Sequence, residues 1–256
     1  MRPTVIAYHA IGACSREGDP ANLFVDPTTF AAQIDYLVRR RIVVTLDEAL
    51  SSSRRRGRPA VAITFDDAYR GVLQHAVPIL EKHSLPATVF APVAHLGQRN
   101  TWDPPSDCAF DIMSEKELAE SDSRGSSVES HGLRHVDHTA LAPEESESEI
   151  ATSLDRLAGI LGRRPSYLAY PYGMAPVRSR DWLDSMGLAA AFTIDRPSTD
   201  PWSYERVQIT PLDGPRLFAL KTSGLYLRAR WSWPVTAAYR VVKPIVRHSV
   251  RRSHTS

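Results

Sequence analysis

Two adjacent carboxylates follow an unbroken apolar run in the first third of the chain. The run AVAITF (60–65) leads directly into Asp66 and Asp67. Successive side chains of an extended chain point in opposite directions, so both carboxylates reach one site only if the chain turns there. A cation would relieve their repulsion, so that one binds metal while the other handles protons. The alternative is that one of them caps the helix that starts near Ala68.

Two histidines four residues apart follow another candidate strand. The segment SVESHGLRH (127–135) contains His131 and His135. This spacing lets two imidazoles face one metal ion. Chance placement of two solvated loop histidines is the alternative, because the chain contains nine histidines. His138 is a third candidate ligand in the same region.

A rigid aromatic turn ends a third candidate strand. The segment YLAYPYG (167–173) runs into Pro171, Tyr172 and Gly173. Such a turn can hold a backbone N–H towards a reaction centre, as an oxyanion hole requires. Taken alone, the segment is equally typical of an ordinary strand exit.

The elements that must position these groups alternate between strands and helices. Most candidate strands are unbroken apolar runs, which is typical of strands buried on both faces. The seven candidates are residues 4–9, 60–65, 87–91, 126–130, 167–170, 189–194 and 205–209. Repeated strand–helix units indicate parallel strands with helices outside them. The sequence therefore predicts an α/β fold, a closed or nearly closed barrel with chemistry at the strand ends.

Helical periodicity fills the connections between these strands. The predicted helices are residues 27–40, 68–83, 144–161 and 175–186. Asp26 is the expected N-cap of the first, and Pro78 is the expected site of a kink in the second. Gly162 and Gly187 are the expected stops of the last two.

Charge is unevenly distributed along the chain. The segment 214–256 contains nine Lys or Arg and no Asp or Glu, and it includes Trp231, Trp233 and Tyr239. The remaining residues hold 22 basic and 29 acidic side chains, a net charge of −7. We therefore predict a barrel over residues 1–213 and a basic aromatic segment over residues 214–256. An anionic membrane surface is the expected partner of that segment, and a solvated or partly disordered end is the alternative. Nucleic acid is a weaker candidate, because a basic patch alone is unspecific.

Cysteine usage and the first residues favour a cytoplasmic protein. Cys14 and Cys108 have no metal-binding spacing. Free thiols in a reducing compartment are expected, and a single disulfide is the alternative. The opening sequence MRPTVIAYHAIG lacks the pattern of a secretory signal. No apolar run is long enough to cross a membrane. We expect a cytoplasmic location, with a peripheral position at the inner face of the membrane as an extension.

The three motifs together resemble the polysaccharide deacetylase family, the NodB-homology group that includes chitin and peptidoglycan deacetylases. The resemblance rests on TFDD, the HxxxH pair and AYPYG, each at a strand end, and covers roughly residues 3–212. Supporting matches are VIAYHAIG, ITFDDAYRG, PILEKHSLPATVF and ERVQI. The resemblance implies a distorted (β/α) barrel with about seven parallel strands.

The resemblance also implies roles for individual residues. One divalent metal ion, most often Zn²⁺, is expected to bind Asp67, His131 and His135. Asp66 is the expected general base. The backbone N–H of Tyr172, beside Pro171 in the substrate-binding turn, is expected to stabilise the oxyanion.

Two features depart from the pattern of many family members. Ala169 stands where an Arg usually orients the catalytic Asp, and no His follows Trp202 in the position of the usual general acid. The branch that begins with a YHxI motif implies His9 as the acid instead; a structural role in closing the barrel is the alternative for His9. Arg206 is a candidate for the missing orienting cation.

The expected reaction is removal of N-acetyl groups from an N-acetylated polysaccharide, or from a lipid-linked or nucleotide-linked sugar precursor. Two alternatives use the same sequence features. One is an ester or non-sugar amide hydrolase on the same metal site. The other is a non-catalytic carbohydrate-binding member of the family, which the two departures favour and the retained Asp and His residues oppose.

Overall fold

A closed parallel sheet forms the centre of the molecule. The structure is a computed structural model that describes residues 3–51, 57–103, 108, 110–176, 180–194, 198 and 200–230. The strands within these ranges are β1 Thr4–Tyr8, β2 Ala10–Ile11, β3 Phe24–Val25, β4 Ile42–Val43, β5 Ala60–Phe65, β6 Ala87–Ala91, β7 Ser126–Ser130, β8 Tyr167–Ala169, β9 Ala190–Ile194 and β10 Tyr204–Gln208.

Seven of these strands close into a barrel because β1 pairs in parallel with both β5 and β10. The remaining order around the barrel is β5, β6, β7, β8, β9 and β10, and every pairing is parallel. Strand β4 adds to β5, while β2 and β3 form a separate pair. The predicted seven-stranded barrel is confirmed, and each predicted strand boundary lies within one residue of the observed one.

Helices cover the outside of the barrel. They are α1 Pro27–Arg40, α2 Leu46–Ser51, α3 Val77–Lys82, α4 Glu115–Ser123, α5 Pro143–Leu161, α6 Arg180–Ser185, α7 Pro215–Lys221 and α8 Leu225–Arg230. Asp26 caps α1 as predicted, since its side chain accepts from the N–H groups of Thr28 and Thr29. Gly162 ends α5 in the left-handed conformation with φ 69°, which glycine adopts without steric cost.

The predicted helix over residues 68–83 has a different form. Ala68 is in a left-handed turn with φ 51°, and a π-helical turn over Val72–Ala76 precedes α3. Pro78 lies in the first turn of α3, directly after this π-helical turn. The expected kink is therefore replaced by a π-helical turn before the proline, a common feature near functional sites.

The barrel interior is apolar at one end and charged at the other. Phe192 packs inside it against Phe90 and Tyr204, with ring centroids 5.8 and 5.6 Å apart. Two residues further along β10, the fully buried Arg206 lies over the Phe90 ring at 5.1 Å. The aromatic side chains fill the end of the barrel where the parallel strands begin. Polar chemistry is therefore confined to the end where these strands finish.

Helix α7 packs on this barrel. Phe218 is buried and meets Tyr36 of α1 edge to face at 5.8 Å. Lys221 Nζ donates to Asp213 at 2.6 Å and to the carbonyl of Gln208 at 2.8 Å. The division into 1–213 and 214–256 stays a prediction, but a cut after Asp213 would remove these contacts. The aromatic residues Trp231, Trp233 and Tyr239 lie outside the described residues, and no described helix is long and apolar enough to span a membrane.

The prediction of two free thiols is wrong. Cys14 and Cys108 form a disulfide with Cα atoms 5.3 Å apart, across 94 positions of sequence. Neither cysteine has a motif that signals pairing, so the sequence could not reveal that the fold brings the two loops together. The cytoplasmic expectation stays a prediction and no longer draws support from free thiols.

Candidate active site

The chain turns sharply at the end of β5, so that Asp66 and Asp67 face the same cavity. Asp67 and Ala68 both take positive φ values, 66° and 51°. Such values are uncommon for residues other than glycine and concentrate at functional sites. The Asp66 carboxylate accepts from Arg206, and that of Asp67 lies against two imidazoles. Both carboxylates therefore contact side chains of the cavity, and the alternative that one of them caps a helix is not favoured.

Asp67, His131 and His135 bring three potential ligand atoms together. Asp67 Oδ1 lies 3.4 Å from His131 Nε2 and 3.1 Å from His135 Nε2. One ligand atom from each residue lies within 4.8 Å of the other two, and all three residues are buried. Strands β5 and β7 supply them from the same end of the barrel.

The tautomer of His131 is fixed by the neighbouring strand. Its Nδ1 lies 2.7 Å from the carbonyl oxygen of Ala169, so Nδ1 carries the proton and Nε2 faces Asp67. A metal-binding histidine usually donates its other ring N–H in this way. The buried Asp67 Oδ1 has no hydrogen-bond donor among the described residues. A carboxylate oxygen and an imidazole lone pair directed at one point fit a divalent cation.

Nearby charges keep the Asp67 carboxyl ionised. Burial raises its pKa, but the contacts with His135 and His131 outweigh burial and hold the pKa well below its usual value. An ionised carboxylate is the form that binds a metal ion.

Arg206 forms a two-pronged ion pair with Asp66. Its Nη1 and Nη2 lie 2.6 Å and 2.8 Å from the two carboxylate oxygens, and Nη1 also donates to Thr64 Oγ1 at 3.1 Å. Burial raises the Asp66 pKa, but the charges of Arg206 and His131 lower it by more, so the net shift is downward. The guanidinium is fully buried, which makes the strand β10 arginine the counter-ion of this carboxylate.

The two aspartates and the two histidines line one open cavity of about 450 Å³. Its polar wall includes Asp66, Asp67 and His131, and its apolar wall includes Leu23 and Ile194. The cavity lies at the ends of the parallel strands, where barrel enzymes place their chemistry. Its volume is in the range of small-ligand sites.

Sequence comparison assigns the chain to a family. The sequence profile described as polysaccharide deacetylase matches residues 53–191, which is more than half of the chain. The chain belongs to the polysaccharide deacetylase family. Its enzyme class is therefore that of a carbohydrate deacetylase, as the sequence motifs predicted.

Two curated relatives illustrate the similarity. A Bacillus subtilis protein of the same family, YxkH, is 25% identical over 215 residues, which is 81% of this chain and 71% of that protein. A poly-β-1,6-N-acetyl-D-glucosamine N-deacetylase of Staphylococcus aureus is 27% identical over 196 residues, 72% of this chain and 66% of the relative. The match thus spans about two thirds of that relative's length.

Two solved structures share the fold. A deacetylase from Streptococcus pyogenes in complex with acetate superposes with a TM-score of 0.74 at 23% identity, over 87% of this chain and 98% of the other. IcaB from Ammonifex degensii superposes with a TM-score of 0.69 at 25% identity, over 86% and 96%. These matches confirm the barrel fold predicted from the strand–helix pattern.

This polysaccharide deacetylase places Ala169, the first of its two departures from the usual pattern, in contact with the site. Ala169, at the position of the usual Arg, contributes its carbonyl oxygen to His131. The cation beside Asp66 comes from Arg206 on β10 instead. The contact expected of Arg206 is therefore present, and its orienting role stays a prediction.

The two remaining histidines occupy different positions. His9 follows β1 and lines the cavity, and its Nδ1 has no partner among the described residues. His138 lies outside the three-residue ligand group, with Nδ1 at 2.8 Å from Ser146 Oγ. Burial lowers the pKa of His138 to about 4, against weaker opposing charges. His9 remains the candidate acid, whereas the open alternative of His138 as a ligand is not favoured.

The aromatic turn of the third motif lies at the rim of the cavity. Tyr172 has φ 58° and ψ 10°, and its ring is 4.8 Å from that of His135. Gly173 has φ 66°, and a Cβ there would lie 2.8 Å from the backbone nitrogen of Ile194. The glycine is thus required by both its conformation and the closeness of β9. Pro171 is buried beneath the turn.

Sequence reasoning missed the loop between β6 and α4. Trp102 stacks on His135 with ring centroids 4.0 Å apart and an interplanar angle of 18°. Asp103 lines the same cavity. The segment TWDPP contains a Trp and an Asp but follows β6 at a distance of ten residues, so the rule of inspecting strand ends did not reach it.

Proposed function

We propose that this deacetylase is a metal-dependent enzyme that removes N-acetyl groups from an N-acetylglucosamine-type polysaccharide or sugar precursor. The observation that carries the proposal is the buried group Asp67, His131 and His135 beside the ion-paired Asp66. The Staphylococcus aureus relative, named for N-deacetylation of poly-β-1,6-N-acetyl-D-glucosamine, supports the substrate class.

The metal would be held by Asp67 Oδ1 and by the Nε2 atoms of His131 and His135. Three protein ligands leave an open position, which distinguishes catalytic zinc sites from structural ones. A divalent ion held there would supply Lewis acidity towards the amide carbonyl and a bound water molecule. Two nitrogen ligands and one carboxylate favour Zn²⁺.

Asp66 would act as the general base. Its lowered pKa keeps it ionised at neutral pH, so it can accept a proton from the attacking water. Arg206 holds the carboxylate through both oxygens, which fixes its orientation. Transfer of the proton towards the departing nitrogen then requires an acid, and His9 on the same cavity wall is our candidate.

The aromatic turn would stabilise the charge that develops on the carbonyl oxygen. We assign this role to the backbone N–H of Tyr172, since a preorganised donor is most effective where charge appears in the transition state. Pro171 and Gly173 hold the turn in its left-handed conformation. Tyr172 would also contact substrate, because its ring is half exposed at the rim.

Acetate release tests the proposal directly. Purified protein loaded with Zn²⁺ is incubated with N-acetylglucosamine oligomers of β-1,4 and β-1,6 linkage and with lipid-linked and nucleotide-linked N-acetyl sugars. We expect acetate from at least one N-acetyl sugar, and release slower by roughly 10²- to 10⁴-fold from the Asp66→Asn variant. Hydrolysis of aryl acetates alone would indicate an esterase. Sugar binding without any acetate release would indicate a non-catalytic family member.

We also propose that the basic segment 214–256 binds an anionic membrane surface. Four leucines near its start are 40–58% exposed: Leu212, Leu217, Leu220 and Leu225. Apolar side chains beside basic residues suit a membrane interface. Vesicle co-sedimentation should show binding of the full chain to anionic vesicles at low salt, and weaker binding after truncation at Arg230, which retains α7 and α8. Equal binding by both proteins would exclude the distal residues as the anchor.

A further inference from the structure

A polar network outside the catalytic group fixes one wall of the cavity. Asn100 Oδ1 accepts hydrogen bonds from the backbone N–H groups of Trp102 and Asp103, at 2.9 Å and 3.1 Å. Asn100 Nδ2 donates to Asp103 Oδ2 and to Tyr69 Oη, both at 2.6 Å. Both polar atoms of Asn100 are therefore used to hold this short segment in one conformation.

The loop that carries the network is anchored on both sides. The N–H of Asn100 donates to the carbonyl of Phe110 at 2.9 Å, and Arg99 Nη2 donates to that of Cys108 at 2.8 Å. Cys108 is in turn bonded to Cys14. A binding side chain on such a support keeps its geometry without help from the ligand, which lowers the entropy cost of recognition.

The Asp103 carboxylate differs from the other two acids of the cavity. Asp66 has Arg206 as its counter-ion, and Asp67 belongs to the candidate metal group. For Asp103 the described residues provide no ion pair, and only Oδ2 has protein donors, from Asn100 and, at 3.5 Å, Tyr69. Oδ1 is left as a hydrogen-bond acceptor in a half-buried position on the cavity wall.

Substrate chemistry supplies the matching donor. In an N-acetylglucosamine unit the carbon next to the acetamido carbon bears a hydroxyl group. When the acetamido group reaches Asp67 and its two histidines, this hydroxyl enters the same cavity. Asp103 lines this cavity together with Asp67 and the two histidines, and its neighbour Trp102 stacks on His135.

We infer that Asp103 is a substrate-binding residue whose Oδ1 accepts a hydrogen bond from the hydroxyl vicinal to the scissile acetamido group. This inference rests on the proposed deacetylase function and adds a specificity determinant to it. It explains why Asn100 and Tyr69 contact only one oxygen of Asp103. Oδ2 fixes the orientation of the carboxylate, and Oδ1 binds the substrate hydroxyl. Burial and the nearby Asp67 charge raise the pKa of Asp103, which is consistent with a carboxylate that lacks a cationic partner in the protein.

A cycle that pairs a protein change with a substrate change tests the contact. The variant is Asp103→Ala, and the second substrate is an N-acetylglucosamine oligomer that lacks the vicinal hydroxyl. A hydrogen bond to a charged group corresponds to roughly 10- to 100-fold in kcat/KM. The wild type should prefer the normal substrate by that factor, mainly through KM, and the variant should distinguish the two substrates by less than about 3-fold.

Controls separate binding from structural roles. Asp137→Ala changes another half-buried acid beyond β7, whose carboxylate bonds only within its own turn among the described contacts, and should keep the full preference. Zn²⁺ affinity measured by calorimetry should be unchanged in Asp103→Ala. If Asp103→Ala fails to fold, Asp103→Asn takes its place in the cycle, because the new side chain retains an acceptor for the Asn100 amide.

Each remaining outcome is decisive. A variant that keeps the full preference, or a wild type that shows none, would overturn the inference while leaving deacetylation intact. Loss of Zn²⁺ affinity would make Asp103 a structural residue. A wild type that releases no acetate from any N-acetyl sugar would instead overturn the proposed function itself.

Discussion

Replacing Arg206 tests whether the buried ion pair organises the site. The Arg206→Met change keeps an unbranched apolar chain beside Phe90 and Phe192 but removes the guanidinium. Asp66, only 2% exposed, would then hold an uncompensated charge. Breaking a buried pair from one side costs about 3–5 kcal/mol. We expect the free energy of unfolding, measured in urea with Zn²⁺ absent, to fall by about that amount.

The double variant Asp66→Asn with Arg206→Met provides the internal check. Removing both charges leaves no unpaired ion, so most of the lost stability should return. Arg124→Met is the matched surface control, because Arg124 also contacts a carboxylate through two nitrogens, at 2.7 and 2.8 Å from Glu81, but on an exposed surface. Exposed pairs contribute little, so this variant should be affected far less.

The same variant makes a prediction for the pH dependence of catalysis. Arg206 lowers the pKa of Asp66, so its removal raises that pKa. If ionised Asp66 is the base, the acidic limb of the kcat/KM profile must move to higher pH in Arg206→Met. A single variant as stable as the wild type, or an acidic limb that stays in place or moves down, would refute the reasoning.

Three further predictions concern other parts of the site and scaffold. Asp66→Asn should retain bound Zn²⁺ by metal analysis and lose roughly 10²- to 10⁴-fold in turnover; loss of the metal would mean that the two aspartates have the opposite roles. The double change Cys14→Ser and Cys108→Ser opens a loop of 94 positions and should lower the free energy of unfolding by roughly 4–5 kcal/mol on the chain-entropy model. The melting temperature should fall accordingly, and an unchanged melting temperature would argue against the disulfide. Burial lowers the folded-state pKa of His138 to about 4, below its unfolded value. The contribution of its neutral imidazole to the free energy of unfolding is therefore complete above the unfolded pKa and is lost as pH falls from about 6.5 towards 4. The His138→Gln variant should therefore lose less stability than the wild type between pH 7.5 and 4.5 in urea titrations, and parallel losses would contradict this.

The strand pattern and the three motifs could be predicted because both depend on local sequence. Most of the buried parallel strands are continuous apolar runs, and each predicted boundary lies within one residue of the observed one. Asp66 and Asp67 follow such a run in β5, whereas His131 and His135 follow the mostly polar β7, whose sequence is SSVES. Parallel strands finish at one end of a barrel, so the sequence already implied that these side chains converge.

Contacts between distant loops could not be predicted in the same way. The Cys14–Cys108 pairing and the stacking of Trp102 on His135 depend on how long loops fold over the barrel mouth. No local periodicity encodes these contacts. The ion pair of Arg206 with Asp66 is an intermediate case. It follows from barrel closure, which places β10 and β5 on either side of β1.

The metal content of matched histidine variants tests the central claim most directly. The wild type, stripped with chelator and titrated with Zn²⁺ by calorimetry, should bind one equivalent and recover acetate release in proportion to it. His131→Ala and His135→Ala should lose this binding, whereas His138→Gln, a change at a buried histidine outside the ligand group, should retain it. One equivalent of tightly bound Zn²⁺ in both alanine variants, or full acetate release by the stripped wild type, would contradict the account.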